Sequence, residues 1–288
     1  YSIEDCYGNE VASGVRLRQH QVTLYVPDAQ LWSMDEPNLY TVIARLQRCN
    51  ESYDDLYVNV GVRSVHRHPG RRLSINGVPT PLRVFPAIRT AGRGHCPDQR
   101  NDGGGHCLIL EIGANTIRLA HYQHAQHFYD LCDEKGLVIW AEIPYITMHM
   151  KNGRANTLTQ MEELILQNYN HPCIAVWGLS NEILIGGICQ ELVDNHHDLQ
   201  KLVRELDPTR LTTIAHVSNT PVDGPMHHIT DVESYNHYFG WYGGKMEQTA
   251  LLDKFHAEHP DICIGISEYG TEGIINMPQA TIPKSQGP

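Results

Sequence analysis

"CIAVWGLSNE", residues 173–182, decides how this chain folds. Its apolar run Cys173 to Leu179 is too short for a helix and lacks the alternation of a half-exposed strand, so it reads as a strand buried on both faces, the kind a parallel sheet requires. The run ends on Asn181-Glu182. An unpaired ionised carboxylate is among the costliest groups to bury, so Glu182 must have either a partner or a task.

Six further strands of the same character flank it: 80–85 (TPLRVF), 114–122 (ANTIRLAHY), 136–144 (GLVIWAEIP), 211–218 (LTTIAHVS), 231–238 (DVESYNHY) and 262–270 (ICIGISEYG). Segments of helical period lie between them, the clearest being 157–170 (TLTQMEELILQNYN) and 191–207 (ELVDNHHDLQKLVRELD), the latter stopped by Asp207-Pro208. Seven βα steps in order predict an α/β fold, a (β/α)8 TIM barrel read up to its seventh strand. No eighth strand is expected, because the tail 276–288 carries three prolines and no strand-like run. Residues 1–67 have another rhythm. Alternating stretches at 15–26 (VRLRQHQVTLYV), 39–47 (LYTVIARLQ) and 56–66 (LYVNVGVRSVH) predict a small antiparallel β unit with one solvated face, in front of a barrel over 68–288.

Composition narrows the function. A formal charge of -11 would repel nucleic acid, and no window reaches the roughly 18 apolar residues of a membrane span. Eight cysteines without a CxxC pair argue against a zinc ribbon and lean toward a reducing, cytoplasmic compartment; Cys132, Cys173 and Cys263 read as core residues. His121, His124 and His127 recur at three-residue steps, yet they run from strand into helix and would not converge on a metal. The pairs His196-His197 and His227-His228 read as solvated faces.

Polar residues gather at the C-terminal strand ends: His121, Glu142, Asn181, Glu182, Asn236, Tyr238 and Glu268. In a TIM barrel these ends share the face that carries catalytic groups. Glu182 closes the fourth strand and Glu268 the seventh, so the two would face each other across the mouth. Two carboxylates about 5 Å apart suit a retaining glycosidase, one as nucleophile and one as acid and then base. Glu142 reads as a residue that orients its neighbours.

The motifs at 31–42 (LWSMDEPNLYTV), 60–65 (VGVRSV), 75–83 (INGVPTPLR), 113–122 (GANTIRLAHY), 128–144 (FYDLCDEKGLVIWAEIP), 170–182 (NHPCIAVWGLSNE), 235–244 (YNHYFGWYGG) and 266–270 (ISEYG) together resemble glycoside hydrolase family 2, the β-galactosidases and β-glucuronidases. The resemblance implies that residues 1–67 form an immunoglobulin-like sandwich, incomplete at its start, before the barrel. It implies Glu182 as acid/base, Glu268 as nucleophile, Asn181 on the sugar 2-hydroxyl, Tyr238 on the nucleophile and His121 on the sugar. Trp241 is expected to stack on a sugar face. The chain departs from the family in two places. Residues 83–107 lack the expected Arg-His-acid segment, with Gly103 to Gly105 where a helix should start, and Ile146 stands where the magnesium-binding members carry an acid. With only His149 nearby, neither a metal nor another cofactor is expected. The reading that follows is a retaining exo-β-glycosidase acting on terminal β-galactosides, with a β-glucuronidase or an impaired sugar-binding fragment as alternatives. Its partner would be a carbohydrate substrate, and a homo-oligomer is compatible with the sequence.

Overall fold

A computed structural model describes residues 1–15, 22–49, 51–67, 73–88, 109, 111–245, 247 and 250–270. The loop around the triple glycine and the tail 276–288, where no eighth strand is expected, lie outside the described residues, as do Cys96 and Cys107.

Seven strands form one parallel sheet in sequence order: β8 (Val84–Ile88), β9 (Thr116–Ala120), β10 (Val138–Glu142), β11 (Ile174–Asn181), β12 (Leu211–Val217), β13 (Val232–His237) and β14 (Ile264–Tyr269). Six of the seven lie within the strands expected from sequence, shorter by at most two residues at either end, whereas β8 overlaps the expected 80–85 only at Val84 and Phe85 and runs on to Ile88. The edge strands β8 and β14 come within 8 Å of each other, Cα to Cα, so the sheet curls into a nearly closed TIM barrel. Every side chain of β9, β10 and β11 is buried, as a sheet covered on both faces demands. The helices α1 (Gln126–Lys135), α2 (Arg154–Asn168) and α3 (Gln190–Leu206) turn their apolar stripes onto it, burying Phe128 and Cys132, Met161 and Leu164, and Leu199 and Val203. A fourth helix, α4 (Ala250–Glu258), precedes β14.

The N-terminal β unit differs in detail from the sequence reading. Its antiparallel sheet, in the order β2-β1-β3-β4, consists of β1 (Ser2–Glu4), β2 (Glu10–Ser13), β3 (Tyr40–Arg48) and β4 (Glu51–Val60). The hairpin β1–β2 is closed by Asp5, whose carboxylate accepts the backbone N–H groups of Tyr7 and Asn9 at 2.9 Å, an Asx-type turn with Gly8 at φ 78°. Of the strand expected over 15–26, residues 15 and 22–26 carry no ladder, and residues 16–21 lie outside the described residues. A second antiparallel sheet, β5 (Val65–Arg67), β6 (Leu73–Ile75) and β7 (Val78–Pro79), spans the chain from the β unit to the barrel.

Trp32 fixes the β unit to the barrel. It is 1% exposed, its indole N–H donates to the Asp133 carbonyl at 2.8 Å, and its own carbonyl accepts from Asn76 Nδ2 at 3.0 Å. Beside it, the Arg63 guanidinium donates to the carbonyls of Pro172 and Ile174 at 3.0 and 2.6 Å, holding the entry to β11. Gly136 ends α1 at φ 68°, and a Cβ there would lie 2.2 Å from the Met34 carbonyl oxygen, so the joint admits only glycine.

Removing this joint should be costly. Trp32→Ala is expected to lower stability by about 3–5 kcal/mol, and Gly136→Ala by about 1 kcal/mol or more, measured as shifts in urea unfolding. A Trp32→Ala protein that unfolds at the wild-type midpoint would refute the coupling of the two units.

Candidate active site

At the C-terminal mouth of the barrel the strand-end residues meet around a side chain that the sequence reading passed over. Arg118, in the middle of β9, has no solvent exposure. Its Nε and Nη2 donate to the two oxygens of Glu142 at 2.9 Å, its Nη1 to Glu268 Oε1 at 2.5 Å and its Nη2 to Asn181 Oδ1 at 2.7 Å. The Trp140 ring lies 4.6 Å from the guanidinium carbon and caps it from below. Gly178 opposite makes the room: a Cβ there would fall 2.4 Å from the Trp140 indole nitrogen and 2.6 Å from Glu142 Cβ. Burial works against the Arg118 charge, but Glu142 and Glu268 outweigh it and raise its pKa. For Glu142 burial would raise the pKa, and Arg118 with His121 holds it below the usual value instead. A cation in an otherwise apolar strand, "TIRLA", carries the same signal as the carboxylate at Glu182: it must be paired.

His121, one residue past β9, reaches Glu142 Oε1 through Nδ1 at 2.7 Å and lies 4.0 Å from Glu268 through Nε2. Asn181 Oδ1 accepts from Arg118 and also from Asn236 Nδ2 at 3.1 Å, which fixes its amide orientation and turns the NH2 group away from both donors. Asn236 donates to Glu182 Oε1 at 3.0 Å and is itself held by the Ser267 hydroxyl at 2.7 Å. The Tyr238 hydroxyl donates to the second oxygen of Glu268. Five of the six residues singled out from sequence, Glu182, Glu268, Asn181, His121 and Tyr238, therefore belong to one hydrogen-bonded cluster. Trp241 stands on the loop after β13, its ring centroid 6.2 Å from that of Tyr242, and its buried indole N–H has no partner among the described residues.

The two strand-end glutamates have unlike surroundings. Glu268 is gripped by a cation on one oxygen and a hydroxyl on the other. Glu182 receives one amide donor and sits at φ 46°, ψ 33°, a left-handed backbone that costs a non-glycine residue about 1–2 kcal/mol and is held by its N–H bond to the Ala215 carbonyl at 2.7 Å. Burial raises the Glu182 pKa, Asn236 partly offsets this, and the nearby Glu268 charge adds to it. One carboxyl whose pKa burial raises, beside another held by a cation and a hydroxyl, is the asymmetry that acid and nucleophile chemistry at a single centre requires.

Two histidines correct the sequence reading. His196 and His227 are buried rather than solvated, whereas His197 and His228 are exposed. His196 bonds Ser180 Oγ at 2.7 Å and the Leu192 carbonyl at 2.8 Å, and burial pushes its pKa down to about 4. Two neighbouring residues on an amphipathic helix need not share an environment, because 100° separates them. His227 stacks on His216 at 4.6 Å and 14°, and His216 bonds Glu233 at 2.8 Å. His216, His227 and Glu233 offer ligand atoms within 4.8 Å of one another, as do Asp130, Asp133 and His171. Near-parallel imidazoles aim their lone pairs side by side rather than at one point, so the first group suits hydrogen bonding better than a metal.

Arg118→Met, which strands Glu142 without its cation, should cost about 3–5 kcal/mol in urea unfolding. Glu182→Gln tests the raised pKa through stability. A carboxyl whose pKa is higher in the folded state stabilises below its unfolded value and loses that contribution as pH rises. The variant's melting temperature relative to wild type should therefore be higher at pH 7 than at about pH 4, and an offset independent of pH would contradict the assignment.

Comparison with known proteins agrees with this geometry. The family described as "Glycosyl hydrolases family 2, TIM barrel domain" matches residues 89–283, and "Glycosyl hydrolases family 2" matches residues 5–63. The chain is 35% identical to a β-glucuronidase of Bacteroides fragilis over 281 residues, 93% of this chain and 40% of that protein. It is 31% identical to a β-galactosidase of Thermoanaerobacter pseudethanolicus over 191 residues, 63% of this chain and 24% of that one. Among solved structures, an FMN-binding β-glucuronidase from Faecalibacterium prausnitzii L2-6 superposes with a TM-score of 0.91 at 62% identity, covering 97% of this chain and 44% of that one. The chain thus spans less than half the length of these relatives. With a matching barrel, a matching β unit and relatives of this similarity, the chain belongs to glycosyl hydrolase family 2.

Proposed function

We propose that this chain carries the catalytic centre of a retaining β-glycosidase, with residues 1–67 as an accessory β unit and 68–288 as the catalytic barrel. The observation that carries the reading is the contrast between Glu182, whose pKa is raised by burial, and Glu268, paired on both oxygens. In the proposed reaction Glu268 attacks the anomeric carbon while the bond to the aglycone oxygen breaks and Glu182 donates its proton to that oxygen. A water then gives a proton to Glu182 and attacks the same carbon, which frees the sugar and restores Glu268 as a carboxylate. Arg118 holds Glu268 in place through the bond to Oε1. The Asn181 NH2 group is the donor offered to the sugar 2-hydroxyl, a contact that strengthens as charge develops on the ring. His121 presents Nε2 toward the same space, and Trp241 is available to the sugar.

A glucuronide is the better-supported sugar, since the Bacteroides and Faecalibacterium relatives are both named β-glucuronidases. A galactoside is the second reading, supported by the Thermoanaerobacter β-galactosidase.

Hydrolysis of nitrophenyl β-glucuronide and β-galactoside is the test. One of the two should be cleaved with retention, and Glu268→Gln should lower kcat at least about a thousandfold, equivalent to about 4 kcal/mol of barrier. If a folded protein cleaves neither, the glycosidase reading fails and a sugar-binding scaffold without turnover remains.

A further inference from the structure

β11 breaks its own alternation just before Glu182. Gly178 faces the barrel interior, where a Cβ would fall 2.6 Å from Glu142 Cβ, so a period of two should bring Ser180 to that face and turn Asn181 outward. The structure does the reverse. Asn181 points inward onto Arg118, and β11 takes three steps from Gly178 to Asn181 where its neighbour β12 takes two, from Thr213 to Ala215. One extra residue in one strand is a β-bulge, which re-aims the side chains beyond it. Ser180 lies in that bulge with no solvent exposure, and its hydroxyl meets Nε2 of His196, on α3, at 2.7 Å.

This contact has a fixed sense. The Leu192 carbonyl can only accept, so Nδ1 carries the proton of a ring that burial keeps neutral, and Nε2 is left to accept the Ser180 hydroxyl. The ring is held in turn by Tyr145, whose own ring stacks on it at 5.2 Å and 26°. Tyr145 also grips the far side of the bulge: its carbonyl accepts the Asn181 N–H at 3.0 Å, and the Thr147 N–H donates to the Asn181 carbonyl at 3.1 Å. The bulge is therefore clamped from α3 through Ser180 and from the loop after β10 through the Asn181 backbone. Glu182 follows directly on it with a left-handed backbone and one amide donor, from Asn236, on its carboxyl. What fixes the bulge thus fixes where that carboxyl points.

We infer that Ser180 and His196 are positioning residues for the acid: their bond locks the bulge in β11 and so sets where Glu182 presents its proton. Neither residue need touch the sugar. The inference rests on the glycosidase reading, and its test separates the two. A proton donor out of place is felt only where the leaving oxygen needs a proton. A phenyl glycoside needs one and a 2,4-dinitrophenyl glycoside, whose leaving anion is stable, does not, so comparing kcat/KM on the pair isolates the aim of Glu182 from general damage to the site. His196→Phe keeps a ring for Tyr145 and removes the acceptor. It should lower kcat/KM on the phenyl glycoside at least about thirtyfold and on the dinitrophenyl glycoside by less than about threefold, since a small misplacement costs a catalytic group up to about a hundredfold. Ser180→Ala should show the same selective loss. His196→Gln, whose amide oxygen can accept the Ser180 hydroxyl, should return phenyl glycoside cleavage to within about threefold of wild type. The double variant Ser180→Ala/His196→Phe strands no buried polar partner, so it carries the same comparison if a single variant fails to fold. Equal losses on both substrates in a folded variant, no loss on either, or a His196→Gln protein as impaired as His196→Phe would overturn the positioning role and leave the enzyme standing. A wild-type protein that cleaves neither substrate in the glucuronide or the galactoside series would remove the glycosidase reading, and this inference with it.

Discussion

A guanidinium with no access to water sits at the centre of this protein. Moving such a group out of solvent costs several kcal/mol even after the protein relaxes, and only well-placed acceptors recover it. Arg118 takes its acceptors from β10, β11 and β14, so those strands must arrive with the right ends level for the cation to be tolerated at all. The same pairing holds Glu142 below the usual carboxylate pKa in a place where burial alone would raise it, and fixes Glu268 beside it. Packing, register and site chemistry are therefore one constraint seen from three sides. The glycine at 178 is part of it, since any side chain there would displace Trp140 and Glu142, on which the guanidinium rests.

The two glutamates at the strand ends are chemically identical in the unfolded chain. The fold separates them by giving one a cation and a phenol, and the other one amide, a strained backbone and a partly dry setting. Asn236 links the two halves, because it is held by Ser267 beside Glu268 and donates to both Asn181 and Glu182. The hydrogen-bonding on the two sides of the mouth is thereby fixed before any substrate arrives, which is how a site avoids reorganisation during reaction.

Away from this polar centre the structure uses apolar surface in two ways. Trp32 is fully sequestered and locks the β unit against α1 and the entry to β11. The turn after Glu182 and the loop after β10 do the opposite and leave Ile185, Ile188 and Met148 in water. The first pattern stabilises the protein on its own.

Periodicity and strand-end polarity were enough to read the barrel, its seven strands and the places of Glu182 and Glu268, because burial on both faces and the cost of a stranded carboxylate are written into local sequence. The helices α1, α2 and α3 were legible for the same reason. What local sequence could not decide was pairing. Residues 15–26 alternate as a strand does, yet 22–26 carry no ladder, while the real hairpin at Ser2–Ser13 depends on an Asx turn that alternation does not show. His196 and His227 looked like their exposed neighbours until helix packing and loop closure buried them. Above all, Arg118 is one basic residue in a strand until residues 24, 63 and 150 positions away supply its acceptors. Chain connectivity fixed which residues could be strands and which strand ends carry charge; only closure of the sheet decided which charges meet, since an ion pair exists in the distance between atoms and not in the spacing of letters.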